Sequence, residues 1–404
     1  MREKKWSSSF GFVMASVGAA VGLGNIWGFP YKLGMGGGFV FLFFYLVFAA
    51  AAGYPLLLAE LGLGRSTALP PVRAYASLGP GWGVTGAAAQ LACFIILSYY
   101  SYFGGTVLKY LFSYAGVRIG SPVFWQLVFT ALSAAAVLGG VRGGVEAVCR
   151  VMVPGLLVML AYIFASTASL PSAKDALRFL FTPDLSRVSV KSVSSALTQM
   201  LFSLSLGQGC MITCGAYMPK GMSLPGKAAL IPLLDTLAAL LAAAAIMPAV
   251  FAAGIDPASG PGLLFMAAEN MFAPFRASRA LSVLFFTAVF FAALSSAAAM
   301  LENLVCKAEA GGRMKRRGAA IILAFAAAAA GLPVTLSFSG GDGRLFELYE
   351  RISQYGLICC GALTSCFAVT GAWGRSAALT AVFGRDCAAG RVWLFLLKYV
   401  VPPL

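Results

Sequence analysis

The stretch VGAAVGLGNIWGFP, Val17 to Pro30, lies in the first hydrophobic segment and carries Gly18, Gly22, Gly24, Gly28, Pro30 and a lone amide, Asn25. The apolar runs on either side are of the length that crosses a bilayer. A membrane-crossing helix normally pairs every backbone group within itself, because hydrocarbon offers no water. Glycine costs about 1 kcal/mol against alanine inside a helix, and proline about 3 kcal/mol. So many weakeners in one span predict a helix that breaks near Gly18–Gly24. Such backbone is tolerated at that depth only where it is buried in protein or lines a cavity.

The rest of the chain sets this break in context. Of 404 residues, 60% are hydrophobic and 11% charged, against about 25% charged in a soluble domain. At about 20 apolar residues per crossing, ten spans fit, near 9–33, 38–63, 84–114, 122–140, 146–169, 193–217, 227–253, 278–306, 317–338 and 345–372. An all-α polytopic membrane protein follows. The last apolar run, VWLFLLKYVVPPL, has about 13 residues, too few to span, and reads as an incomplete eleventh helix or an interfacial tail. Residues 260–275, GPGLLFMAAENMFAPF, read as a loop helix folded back on the external side.

The net charge of +15 does not point to nucleic acid, since no basic surface exists apart from short loops. Arg2, Lys4 and Lys5 in the tail, Arg65 and Arg73 after span two, and Lys307, Arg313, Lys315, Arg316 and Arg317 after span eight place the N-terminus in the cytoplasm. The competing set, Lys174, Arg178, Arg187 and Lys191, lies in the longest loop, where the rule is weaker. A multi-pass protein of the inner (plasma) membrane is expected. Residues 1–8 lack a cleavable signal pattern and form a cytoplasmic tail.

There are nine cysteines and no histidine. Most cysteines sit in apolar segments, Cys210 and Cys214 four apart on one helix, and read as small buried thiols. Without histidine or clustered carboxylates, zinc and enzyme chemistry have no support.

A second span is abnormal. FSLSLGQG, Phe202 to Gly209, puts hydroxyls and glycines at the middle of span six. Spans one and six each open one half of a five-plus-five arrangement. Interrupted spans at matching places in two halves point to a transport site.

Five motifs in order, AAVGLGNIWGFPY, GGGFVFLFFY, GYPLLLAELGLGR, FSLSLGQG and FFAALSSAAAM, resemble the neurotransmitter:sodium symporters in their bacterial amino-acid branch. The resemblance covers residues 6 to about 403. It implies two inverted five-helix repeats, 9–169 and 193–372, with discontinuous helices 1 and 6, and a cytoplasmic loop with a partial eleventh helix over 373–404. It also implies symport of sodium with an amino acid by alternating access. The substrate and ion sites would lie between spans one, three, six and eight.

Residue by residue, the resemblance implies one sodium site from Ala20, Asn25, Ser203 and Asp235, and another from Gly18, Val21, Ala292, Ser295 and Ser296. From the residues alone, Ser295 and Ser296 are the one adjacent hydroxyl pair of span eight, and helix-internal bonding to the preceding turn is the plain alternative. An acid inside a span is a functional candidate by default, although Asp235 could simply be solvated near a helix end. A bacterial member of the family has asparagine there. Relatives that need chloride use a serine where this chain has Ala239, and a carboxylate replaces the anion in those that do not. Asp235 is therefore expected to supply that charge, with two sodium ions and no chloride.

The substrate carboxylate is expected against free amides near Leu23 and Gly24 and the Tyr100 hydroxyl. The amino group would meet the Ala19 and Phe202 carbonyls and the Ser205 region. Ala20, Ser203, Val17, Ile96, Phe202, Ser205, Gln208, Ser296 and Met300 would complete the pocket. Its apolar, uncharged lining favours a neutral hydrophobic amino acid, while Gln208 either binds a polar group of the substrate or has no ligand role.

Two departures concern the gates. The family's NxWRFPY arginine is Gly28 here, while the acid it would meet in span ten, Glu350, remains. Trp6 matches the family's tail tryptophan, but Glu3 stands where an arginine is expected, with Arg2 or Lys5 as substitutes. Glu60 reads as a structural or helix-end group. A non-transporting amino-acid sensor and a proton-coupled carrier built on Asp235 are the alternatives; the amino-acid substrate and the lipid bilayer are the partners implied, and the oligomeric state stays open.

Overall fold

Helix follows helix along the chain, and among the described residues there is no strand. The computed structural model describes residues 5–219, 221–312 and 314–404. The tail residues Arg2, Glu3 and Lys4 and the loop residue Arg313, which entered the charge and gate readings, lie outside them.

The first span is two helices, α1 (Ser9–Ala20) and α2 (Gly24–Met35), bent by 48°. It is followed by α3 (Phe39–Thr67), α4 (Gly83–Tyr114), α5 (Pro122–Leu138) and α6 (Val141–Thr167). The sixth span is again two pieces, α7 (Val190–Ser203) and α8 (Cys210–Ala216). The second half continues with α9 (Leu224–Ala252), α10 (Ser278–Ala310), α11 (Arg316–Ser339) and α12 (Arg344–Ala372). Seven of these helices are long and apolar enough to cross a membrane, and the bent pair α1/α2 makes an eighth. The boundaries fall within a few residues of those expected from hydropathy. The expected loop helix is present as Leu263–Met271, and the last apolar run is helical over 388–400.

Three short helices were not foreseen: Pro71–Ala76, Ala173–Phe181 and Arg375–Phe383. The second has a readable signal, since Ala173, Ala176 and Leu180 recur at helical spacing and are its buried face.

Helix α1 packs against α6, α9 and α10, and α10 packs on α4, so both broken spans are enclosed by long helices. Small residues permit the closest approach, as expected where lipid supplies no hydrophobic drive between helices. A Cβ on Gly64 of α3 would lie 1.9 Å from the Ile212 carbonyl oxygen of α8, and one on Gly215 of α8 would lie 2.2 Å from that of Leu61. The two backbones touch there, and no side chain can yield. Gly64→Ala should destabilise the fold by roughly 1–3 kcal/mol, the usual cost of overpacking, whereas Gly371→Ala, with nothing within 4 Å of the new methyl, should not. Thermal unfolding in detergent, comparing the two variants with the parent, tests this.

Candidate functional site

The first break falls at Val21–Leu23, inside the expected stretch, and Gly18 lies within α1. Val21 turns to extended geometry (φ −71°, ψ 109°), and the chain re-enters helix through a wider π turn at Gly24–Gly28. The groups released there are caught by side chains. The Gly22 amide donates to Asn25 Oδ1 at 3.0 Å, and the Leu23 amide donates to the Tyr100 hydroxyl at 2.8 Å. Gln199 Nε2 donates to the Gly24 carbonyl at 2.7 Å. The Leu23 amide is therefore not free, contrary to expectation, because Tyr100 already satisfies it. Tyr100 accepts in that bond and keeps its own proton for another acceptor.

The second break runs from Leu204 to Gly209. Ser205, Gly207 and Gly209 all have positive φ (53°, 70° and 81°). Left-handed backbone is routine for glycine but unusual for serine, and the Ser205 hydroxyl donates to the Ala19 carbonyl of the first break at 2.7 Å. The Gly207 amide donates to Glu60 Oε1 at 2.8 Å, and Asn303 Nδ2 donates to the Gln208 carbonyl at 2.9 Å. Glu60 is thus a buried mid-helix group of α3 that fastens the second break, not a helix-end group.

Next to the first break lies a carboxylate cluster. Asn25 Nδ2 donates to Asp235 Oδ1 at 2.7 Å and to Ser203 Oγ at 3.0 Å. Ser203 and Tyr45 donate their hydroxyls to Asp235 Oδ2 at 2.8 and 3.0 Å. Asp235 is 0% exposed, so it is not solvated near a helix end. Among the described residues no lysine or arginine pairs with it. Tyr45 was missed; a phenol tip inside the run FVFLFFYLVF was its only signal. The amide, hydroxyl and carboxylate oxygens gathered here are the donor set a hard monovalent cation requires.

Across α1, Gly18 abuts α10, where its Cβ would lie 3.3 Å from Ser295 Cβ. Ser295 donates back to the Ala292 carbonyl at 3.1 Å, and Ser296 leans toward the Ala19 carbonyl at 3.4 Å. The hydroxyl pair therefore faces the first break, with Ser295 also making the back-bond common in helices.

Between the breaks is a tight cavity of about 10 Å³, room for about one water, lined by Ala20, Gly22, Gly24, Ile96, Tyr100, Phe202, Ser203, Ser205, Gln208, Ser296 and Met300. Val17, Ala19 and Leu23 do not line it. Each is buried in the surrounding core instead, and Ala19 contributes only a carbonyl that Ser205 and Ser296 occupy.

On the side away from the N-terminus, the space beside Gly28 is taken by Gln199, whose Oε1 lies 3.6 Å from where a Cβ would sit. Glu350 nevertheless has a basic partner. Lys32, one turn beyond Gly28, lies 3.5 Å from Glu350 Oε1 and donates to Gln354 Oε1 at 3.0 Å. It is only 4% exposed, and its ammonium is 5.9 Å from the Phe202 ring that walls the cavity. On the N-terminal side, Trp6 is buried. It donates its indole N–H to the Cys214 carbonyl at 2.9 Å and meets Tyr217 edge-on. The nearby acid, Glu302, is paired with Arg316 of α11 and accepts from the Tyr217 hydroxyl at 2.8 Å. Lys5 accepts at its carbonyl from Arg142 Nε. The tail is also held by Ser7, whose amide donates to Glu146 Oε2 at 2.8 Å. Lys32, Glu302 and Arg316 were not singled out by sequence reasoning.

The model of the sodium:neurotransmitter symporter family matches residues 2–120 and 114–402. The chain belongs to that family. An uncharacterised sodium-dependent transporter of Bacillus subtilis is 34% identical, with 100% of this chain and 96% of that protein covered. One from Methanocaldococcus jannaschii is 32% identical over 76% of this chain and 69% of its own. The crystal structure of MhsT in complex with L-phenylalanine superposes with a TM-score of 0.93 at 34% identity, covering 99% of this chain and 97% of that one. The fold is thus that of this family, and the protein is a sodium-dependent, multi-pass membrane transporter.

Glu60 supplies a structural test. Glu60→Gln retains an oxygen for the Gly207 amide and should stay near parental stability. Glu60→Leu strands that buried donor and should cost about 1–3 kcal/mol. Unfolding midpoints in detergent distinguish the two.

Proposed function

We propose that the protein imports a neutral amino acid across the plasma membrane together with two sodium ions, by alternating access and without a need for chloride. The observation that carries this reading is Asp235. A buried charge without a partner is strongly unfavourable, and Asp235 has three hydrogen-bond donors but no basic side chain. A sodium ion held by Asp235, Asn25, Ser203 and the Ala20 carbonyl would neutralise it where relatives recruit an anion to balance charge. The Asn25 amide then turns its oxygen to the ion. Gly18, Val21, Ala292, Ser295 and Ser296 would hold the second ion. L-Phenylalanine, the ligand of MhsT, supports an amino acid as substrate. Its carboxylate would meet the Tyr100 proton and the start of α2, where the helix dipole favours an anion.

Coupling is then arithmetic. Each sodium entering gains about 2.3 kcal/mol per 100 mV. Two give about 4.6 kcal/mol, more than a thousandfold accumulation at about 1.4 kcal/mol per decade. In purified protein reconstituted into liposomes, sodium-driven uptake of a labelled amino acid is expected to persist when gluconate replaces chloride. Asp235→Ala should raise the half-saturating sodium concentration at least about tenfold, the loss of one charge-assisted contact. Uptake that collapses in gluconate, or sodium activation indifferent to Asp235, would sink this reading.

Lys32 and Glu350 serve in this scheme as the outer closure, with the lysine replacing the family's arginine from one turn further out. Trp6 and the Glu302–Arg316–Tyr217 group hold the inner side. Lys32→Gln, Glu350→Gln and the double variant should each slow uptake by a similar factor, about tenfold. That pattern marks two residues acting as one contact. Additive losses in the cycle, or none, would argue against the pairing.

A further inference from the structure

Gln208 is the residue of the cavity whose hydrogen-bond acceptor is unspent. It sits between two left-handed glycines, Gly207 and Gly209, and Asn303 pins its carbonyl, so its side chain has a fixed origin. That side chain is 1% exposed, lines the cavity, and has an amide oxygen with no hydrogen-bond partner. Other buried side-chain oxygens without partners, Ser16 Oγ, Glu60 Oε2, Gln90 Oε1 and Gln199 Oε1, belong to residues outside the cavity lining. The cavity's hydroxyls, by contrast, are engaged. Ser203 donates to Asp235, Ser205 and Ser296 donate to Ala19, and Tyr100 accepts from Leu23. The remaining side-chain walls, Ile96, Phe202 and Met300, are apolar.

An amide oxygen buried without a donor carries a desolvation cost that a ligand removes by donating to it. A site built this way rejects the analogue that lacks the donor much more strongly than an apolar pocket rejects an extra methylene. We infer that Gln208 selects a neutral amino acid whose side chain carries an O–H or N–H donor, a hydroxyl, an amide or an indole, over its apolar isostere. This rests on the reading of the cavity as the amino-acid site and narrows the hydrophobic class expected from the lining alone.

The test uses the purified full chain in detergent with sodium present. Binding of matched pairs is measured by competition and by thermal stabilisation: tyrosine against phenylalanine, threonine against valine, glutamine against methionine, and tryptophan against 1-methyltryptophan. The tightest ligand should carry a donor, and its apolar partner should bind roughly ten- to a hundredfold more weakly. Gln208→Met should bring the two members of that pair to within about threefold. An apolar tightest ligand that binds at least as well as its donor-bearing partner overturns the inference while leaving amino-acid transport standing. So does a pair ratio that Gln208→Met does not change. The parental ratios decide the matter even if that variant does not fold. No sodium-dependent binding of any amino acid would overturn both readings together.

Discussion

A backbone that leaves helical geometry inside a membrane must find partners for every group it frees, because lipid provides none. That demand organises this molecule. The two breaks release amides and carbonyls at one place, and the partners come from four directions: Asn25 within the break, Tyr100 from α4, Gln199 from α7 and Glu60 from α3. Ser205 joins one break to the other through the Ala19 carbonyl. The breaks are therefore one construction, and the cavity between them is what remains after the partners are placed. Its polar groups are mostly committed to holding backbone, which leaves a small number to read a ligand.

Charge is distributed under the same restriction. Asp235 is surrounded by groups that donate hydrogen bonds but carry no charge, so among the described residues no basic side chain balances an ionised carboxylate there. Neutral donors take the place of water around the carboxylate at that depth without adding a counter-charge.

How much of this was legible in the sequence follows from the range of each signal. The spans were readable because hydropathy is local and long. The breaks were readable because glycine and proline act at their own positions. The short helices at Pro71–Ala76 and Arg375–Phe383 were not, since two turns between breakers leave too little periodicity to register. Of the site, Asn25, Ser203, Asp235 and Tyr100 were named from motif positions, and they lie together. The ionic partners were missed. Lys32 meets a residue more than 300 positions away, and Arg316, in sequence one of several loop cations, opens α11 beside Glu302. Pairing across the fold leaves no trace in a single sequence. The state of the Leu23 amide was also beyond reach, because it depends on where one phenol oxygen ends up.

That Glu350 meets a lysine at position 32 rather than a cation at position 28 has an electrostatic rationale within the same geometry. Residues four apart share a helix face and lie about 6 Å apart along the axis at 1.5 Å per residue. Gln199 occupies the room beside Gly28 and holds the Gly24 carbonyl, so a long cation there would contest both the space and the acceptor. It would also sit nearer Asn25 and Asp235, where a positive charge opposes the binding of another. Since the interaction of two charges falls with distance, placing the cation one turn outward preserves the contact with Glu350 and lessens that opposition. The Lys32 ammonium lies 5.9 Å from the Phe202 ring, so the Lys32–Glu350 pair and the wall of the cavity meet near one ring.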